Sequence, residues 1–441
     1  MQFLERWFRI RESGSTVRRE VLGGLTTFMT MAYIIFVQPL VLGAAGMDVG
    51  AVMTATCVAG ALACFIMAWL ANYPIALAPG MGTNVFFAYT VVTLMGFSWQ
   101  QALGATFFSG CLFLLLSLVG VREAVIQAIP ANLRSAIAVG IGLLIAVVGM
   151  EWSGLVVDHP ATLVALGDLG HPATLLSLLG LVVTISLLAR GRHFAILVGI
   201  LVSLVVGAAS GLVPFEGVVG QVPSLRPTLL QLDLSALWTV EMLPVVFVFF
   251  LLDLFDTVGT LTGVSQEAGF MQPDGTLPRA RQALTADALG TIVGSLLGTS
   301  TVTSYVESAA GISVGARTGL ANVVTGALFL AALFFSPLLQ AVGGGIQTSG
   351  LTLYPVIAPA LIVVGCLLTS SIRHIDWKTS DEAFPAFMTV ITMPLTFSIR
   401  EGLAFGFISY TLLKLVRGKV REVSPLIGIS AILLLLRYVL L

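Results

Sequence analysis

Three carboxylates stand where a hydrocarbon environment excludes charge. Asp253 and Asp256 interrupt the apolar run from Met242 to Val264, and Glu307 lies in the weakly polar stretch 298–315. An ionisable side chain inside a membrane segment costs roughly 2.5–3.5 kcal/mol even on mild insertion scales, so it marks a functional position facing protein interior or water. Asp253 and Asp256 are spaced i, i+3 on one helix face, which Thr257 and Thr260 extend by a turn. Two carboxylates that close in low dielectric are not both ionised, so the pair can hold a proton at neutral pH. Proton coupling requires such a group; a structural pair capping backbone is the plainer alternative. Glu307 can accept hydrogen bonds from a ligand's N–H groups, with Tyr305 beside it as a further candidate contact. Asn84 holds the matching place earlier in the chain, and its amide donates and accepts at once, which suits the edge of a heterocycle. Phe86 and Phe87 offer rings for stacking on a ligand or for packing. Asp287 opens a later apolar segment, as a helix-start residue or a functional acid.

Such residues need spanning elements to hold them, and the composition supplies them. Of 441 residues, 57% are hydrophobic and 10% charged, against about 25% charged in a soluble domain. A net charge of −1 gives no reason to invoke nucleic acid. Apolar stretches recur at about 23–45, 51–71, 74–95, 101–121, 133–151, 174–189 and 194–213. A second set follows at about 242–263, 283–298, 301–315, 319–341, 352–370, 384–398 and 400–417, with a last apolar run at 427–441. With seven spans in each set, Arg6, Arg9, Arg11, Arg18 and Arg19 fall on one side together with Arg122, Arg134, Arg190, Arg192, His193, Arg279, Arg281 and the basic group from Lys414 to Arg421. The positive-inside rule makes that side cytoplasmic. The opposite loops carry Asp158, Asp168, Glu216 and Asp233. Met1–Glu20 is too charged for a signal peptide. Cys57, Cys64, Cys111 and Cys366 lie in apolar runs and read as core residues, and the four histidines fall in predicted loops, so no metal site is expected. No P-loop or H-E-x-x-H spacing occurs.

An odd number of spans per half inverts one half against the other. The third span of each half is interrupted by small and hydroxylated residues: Ala78-Pro-Gly-Met-Gly-Thr-Asn-Val in the first, Gly298-Thr-Ser-Thr-Val-Thr-Ser-Tyr in the second. Paired interruptions at corresponding positions point to a transporter's binding site.

Four segments carry a family resemblance. They are Gly23-Gly-Leu-Thr-Thr-Phe-Met-Thr-Met-Ala-Tyr-Ile-Ile-Phe-Val, Ala78-Pro-Gly-Met-Gly-Thr-Asn-Val-Phe-Phe-Ala-Tyr, Asp253-Leu-Phe-Asp-Thr-Val-Gly-Thr-Leu and Thr303-Ser-Tyr-Val-Glu-Ser-Ala-Ala-Gly-Ile. The chain resembles the azaguanine-type purine permeases, a branch of the nucleobase–cation symporter-2 (xanthine/uracil permease) family. The resemblance implies an all-α polytopic membrane protein of the uracil-permease fold: 14 transmembrane segments as two inverted seven-span repeats, with short strands in spans 3 and 10. It implies core segments at 20–121 and 242–341 and gate segments at 133–213 and 352–441. It further implies proton-coupled uptake of adenine, guanine or hypoxanthine across the cytoplasmic membrane by alternating access. The N-terminus is then cytoplasmic, the protein a homodimer, and the co-transported proton takes the place of any cofactor. Asn84, Asp253 and Glu307 would contact the purine, with Phe86, Thr257 and Tyr305 around it. Asp256 and Asp287 would serve proton coupling. This chain has Thr83 where the family often has leucine.

Two rival readings are less well matched. An anion transporter of the same fold needs positive potential at its site, which three carboxylates oppose. An intramembrane aspartyl enzyme needs two aspartates brought together from different segments, whereas Asp253 and Asp256 lie on one helix.

Overall fold

The computed structural model describes residues 7–119, 130–192, 194–272, 277–348 and 351–440. Arg6, Arg122 and His193, used above to orient the spans, lie outside the described residues. Lipid offers backbone groups no partner, so a chain of this composition folds into helices that satisfy their own N–H and C=O groups.

In the first half, the leading span is broken into α1 (Val17–Met31) and α2 (Ile34–Gly43) at Ala32 and Tyr33. α3 (Val49–Leu70), β1 (Leu77–Pro79) and α4 (Met81–Val85) follow, and α4 runs into a π-helix, Phe86–Leu94. Next come α5 (Trp99–Val119), α6 (Ala131–Trp152), the hairpin β2 (Val156–His159) and β3 (Leu163–Leu166), α7 (Pro172–Ala189) and α8 (Ala195–Ala209). The second half repeats the scheme: α9 (Met242–Glu267), α10 (Ala280–Leu297), β4 (Val302–Ser304), α11 (Ser308–Val314), α12 (Leu320–Ala332) and α13 (Ser336–Val342). The hairpin β5 (Ile346–Thr348) and β6 (Leu351–Leu353) then leads to α14 (Ala358–Leu368), α15 (Ser380–Thr396), α16 (Ile399–Val416) and α17 (Pro425–Leu440).

Among the described residues, seven helices are long and apolar enough to cross a bilayer, with three shorter apolar ones at Met81–Leu94, Ala195–Ala209 and Ala358–His374. The helix at Pro425–Leu440 accounts for the last apolar run.

The interruptions have local causes. Pro74 and Pro79 lack the N–H a helix needs, and Asn72 sits at φ +51°, so the chain between α3 and α4 stays extended. In the second half, Gly298 ends α10 at φ +101°. A Cβ there would stand 2.2 Å from Thr228 Cβ. The two extended pieces solve each other's problem. β1 and β4 pair antiparallel, Leu77 opposite Ser304, Ala78 opposite Thr303 and Pro79 opposite Val302. Gly80 N–H to Thr301 O and Tyr305 N–H to Ala76 O, both 2.9 Å, continue the ladder at its two ends. Non-helical backbone at membrane depth persists only with such partners.

The chain divides into two compact units, residues 1–120, 152–155 and 167–360 in one and 121–151, 156–166 and 361–441 in the other. In the first, α3 packs on α10 and α12, α5 on α9 and α10, and α1 on α11 and α12. Gly23 and Gly24 permit the last contact: a Cβ on Gly24 would meet Ala321 O at 2.4 Å, and one on Gly311 would meet Gly23 O at 2.5 Å. In the second, α15 and α16 form a hairpin and α17 packs on α16. Its core gathers Ala136, Val139, Ile375, Ala386 and Val390. Buried Lys414 binds Asp381 (3.1 Å), Glu382 (2.8 Å) and Glu422 (2.6 Å), tying one end of the α15–α16 hairpin.

Candidate functional site

The four membrane-embedded acids gather around β4 in the first unit. A strand sends alternate side chains to opposite faces. Val302 packs against α10, where Gly290 and Gly294 leave room for it. Ser304 Oγ donates to Asp287 Oδ1 at 3.3 Å on the same face. Thr303 points the other way and is the hydroxyl that faces Asp256.

The enclosed face joins α9 to α10 by two reciprocal links. Thr291 Oγ1 lies 3.1 Å from Asp253 Oδ2, and Thr257 Oγ1 donates to Asp287 Oδ1 at 2.8 Å. Each helix thus offers an aspartate and a threonine four residues apart, and each aspartate meets the other helix's threonine. Asp253, Thr257, Asp287 and Thr291 are all fully buried. Thr291 Oγ1 also accepts from Val302 N–H and reaches Val302 O, both at 3.0 Å, so one side chain completes the outer edge of β4. Asp253 Oδ1 has no hydrogen-bond partner among the described residues. The i, i+3 spacing that paired Asp253 with Asp256 in the sequence thus splits them between two environments.

The other face is open. Asp256 is exposed, Glu307 is partly exposed, and Val306 between β4 and α11 is 60% exposed. One and two turns along α9 from Asp256, Gly259 and Gly263 have nothing within 4 Å of where a Cβ would stand. Glu307 is held from the break in the first span: Tyr33 Oη donates to Glu307 Oε1 at 2.7 Å. No salt bridge engages Asp253, Asp256 or Glu307 among the described residues. The open face therefore presents carboxyl acceptors without a fixed cation, which favours a ligand carrying N–H donors over an anion.

Three candidates from the sequence make contacts within the protein itself. Tyr305 Oη donates to Pro79 O, clasping β4 to β1. Phe86 is fully buried and packs edge-on against Phe249, ring centroids 4.9 Å apart, and buried Phe87 approaches the same ring. Thr257 serves Asp287. Asn84 is fully buried and donates through Nδ2 to Gln38 Oε1 at 2.7 Å. Gln38 in turn donates to Thr299 Oγ1 and Ser300 Oγ. Sequence reasoning missed Gln38, Tyr33 and Thr291. Gln38 left a usable signal, a lone amide inside the apolar run Ile34–Leu42.

Comparison with known proteins adds the following. Residues 18–405 match the model of a permease family, xanthine/uracil permease. The chain is 48% identical over 440 residues to a putative permease of Methanocaldococcus jannaschii, covering 100% of this chain and 99% of that one. It is 44% identical over 436 residues to the adenine permease AdeP of Escherichia coli, covering 99% of this chain and 96% of that one. It is 44% identical over 435 residues to the guanine/hypoxanthine permease PbuG of Bacillus subtilis, covering 96% of each. Among solved structures, the transmembrane domain of the cyanobacterial bicarbonate transporter BicA aligns at TM-score 0.65 with 16% identity, covering 87% of this chain and 97% of that one. The murine anion transporter Slc26a9 in its inward-facing state aligns at 0.62 with 12% identity, covering 91% of this chain and 68% of that one. At that identity the likeness is one of fold: the inverted-repeat architecture expected from the sequence.

Proposed function

The chain belongs to the xanthine/uracil permease family, and from that premise we propose that it imports purine nucleobases, driven by protons, across the cytoplasmic membrane. The full-length similarity to permeases named for adenine and for guanine/hypoxanthine carries this reading. The open, cation-free face bearing Asp256 and Glu307 agrees with it, because a nucleobase is a neutral ligand that offers ring and exocyclic N–H groups. The fold neighbours that carry anions do not redirect the reading, since fold and function separate readily.

In this reading Glu307 and Asp256 take the purine's N–H groups, with Asn84 reading another part of its edge. The resemblance assigns the purine to Asp253 and coupling to Asp256. The enclosure of Asp253 and the openness of Asp256 support exchanging those roles. Asp253 and Asp287 then hold the transported proton, with Thr257 and Thr291 as their hydrogen-bond partners. The core segments 20–121 and 242–341 present the site, and the gate segments 133–213 and 352–441 expose it alternately to the two sides. The protein acts as a homodimer with its N-terminus in the cytoplasm. One proton moved through 100 mV supplies roughly 2.3 kcal/mol, enough for about fifty-fold accumulation of a neutral base.

The test is uptake of radiolabelled adenine and hypoxanthine by permease-deficient cells expressing the protein, with and without a protonophore. Saturable uptake abolished by the protonophore and by unlabelled purines is expected. Uptake of bicarbonate or sulfate that purines leave untouched would overturn the assignment.

A further inference from the structure

We propose that Gln38, Asn84, Thr299 and Ser300 form a reversible amide relay through which one site reads both 6-amino and 6-oxo purines. The proposal rests on the nucleobase reading above and names its substrate range. Gln38 Nε2 donates to Thr299 Oγ1 at 2.9 Å and to Ser300 Oγ at 2.8 Å, while Gln38 Oε1 accepts from Asn84 Nδ2 at 2.7 Å. Gln38 and Asn84 are both 0% exposed. Asn84 Oδ1 ends the chain of bonds with no partner among the described residues. Enclosed polar atoms in folded proteins are nearly always satisfied, so this oxygen awaits a donor from outside the protein.

The relay's direction is not locked. Each member is a hydroxyl or a primary amide, and each can donate or accept. No charged group belongs to it. Turning both amides over preserves these three contacts and gives up only the long Asn84 Nδ2–Met81 Sδ contact of 3.8 Å: Thr299 and Ser300 then donate to Gln38 Oε1, and Gln38 Nε2 donates to Asn84 Oδ1. Asn84 Nδ2 is now the group left free. The terminal atom is therefore an acceptor in one state and a donor in the other. The orientation of such amides follows from their hydrogen-bond partners, and here the last partner is the ligand.

Adenine and hypoxanthine differ by this same inversion. Adenine has a donor at its 6-amino group beside the acceptor N1. Hypoxanthine has an acceptor at its 6-oxo group beside the donor N1–H. A group of fixed polarity complements one base and opposes the other. A relay that turns over as a unit complements both, and the heavy atoms stay where they are.

The experiment measures adenine and hypoxanthine binding to the purified full-length protein. Wild type is expected to bind both, with dissociation constants within about ten-fold of each other. Gln38→Glu, measured at a pH where its carboxyl is ionised, supplies acceptors only and fixes Asn84 with its oxygen free. Gln38→Lys supplies donors only and fixes the opposite state. The two variants are expected to move the adenine-to-hypoxanthine ratio in opposite directions, each by about ten-fold or more, the scale of a mismatched buried hydrogen bond. Asn84→Asp, under the same ionising condition, places an acceptor toward the ligand whatever Gln38 does, and should move the ratio the same way as Gln38→Glu. That agreement decides the matter if a lysine at position 38 prevents folding. Gln38→Met should weaken both bases and leave their ratio within about three-fold of wild type. A ratio unchanged in Gln38→Glu and Asn84→Asp while purines still bind overturns the relay. So does a shift in the same direction for both charged variants at position 38, or a wild type that rejects one base by more than about a hundred-fold. A wild type that binds neither base overturns the nucleobase reading instead.

Discussion

The two faces of β4 hold the same chemical group and treat it differently. On one side Asp253 and Asp287 are sealed between α9 and α10, each meeting a threonine of the opposite helix. On the other, Asp256 and Glu307 stand open, Asp256 facing the Thr303 hydroxyl and Glu307 held by Tyr33. A carboxyl enclosed between two helices is suited to holding and releasing a proton. An open one can meet the ligand. In the function proposed above, this difference assigns coupling to one face and recognition to the other of a three-residue strand, through the alternation of its side chains.

The comparison breaks most readily at the sealed pair. Asp287→Asn should reduce proton-driven accumulation in proteoliposomes by about a hundred-fold or more, the factor at stake when a buried charge-assisted network is dismantled. Exchange of labelled for unlabelled purine should continue, since exchange requires reorientation without proton release. Normal accumulation by this variant would move the proton to Asp256. At the open face, Glu307→Gln keeps the shape and removes a charged acceptor. Its purine dissociation constant should rise roughly ten- to a hundred-fold, the value of about 1.5–3 kcal/mol in a charge-assisted bond. Equal affinity for wild type and variant would take Glu307 out of the site. Tyr33→Phe removes one donor from the same carboxyl and should cost about five-fold in affinity, near 1 kcal/mol, with the transport mechanism intact. Thr291→Val tests the partition from the side of the strand. It strips Val302 of a partner for its N–H and should lower the unfolding temperature, by about 1–3 kcal/mol of stability. Affinity for purine should change by less than about three-fold. Phe86→Leu should do least to binding, below about two-fold, and cost roughly 1 kcal/mol of stability, because the ring packs on Phe249. A large affinity loss there would return Phe86 to the list of ligand contacts.

Much of this arrangement was legible in the residues. Acids in apolar runs flagged Asp253, Asp256 and Glu307, and the two interruptions rich in Gly, Pro and Thr forecast the segments that became β1 and β4. The partition of the acids was not legible. An i, i+3 spacing puts two side chains about 60° apart on a helix, and which one turns inward depends on where the neighbouring helix lies. Asp287 is 34 positions from Asp253 by their numbers, and no periodicity connects them. Thr291, Thr299 and Ser300 are ordinary membrane-helix residues until the fold brings Val302 and Gln38 to them. Tyr33 reads as one more aromatic in a long apolar segment. Phe86 and Tyr305 present the opposite case, since ring and hydroxyl look equally fit for a ligand or for the frame, and only the fold shows the packing on Phe249 and the bond to Pro79.

The pairing of β1 with β4 also governs how the protein comes into being. Tyr305 and Pro79, joined by a hydrogen bond, are 226 positions apart in the chain. At about 5–20 residues per second, a ribosome needs roughly 10–45 s to pass from one to the other. Throughout that interval Leu77–Pro79 are inside the bilayer without the strand that completes them. Unpaired backbone groups in hydrocarbon cost several kcal/mol each. The first half is thus a thermodynamic debtor to sequence not yet translated, dependent on the insertion machinery for shelter. A nascent chain that stops before residue 302 carries a defect that membrane quality control can recognise, whatever the stability of its helices.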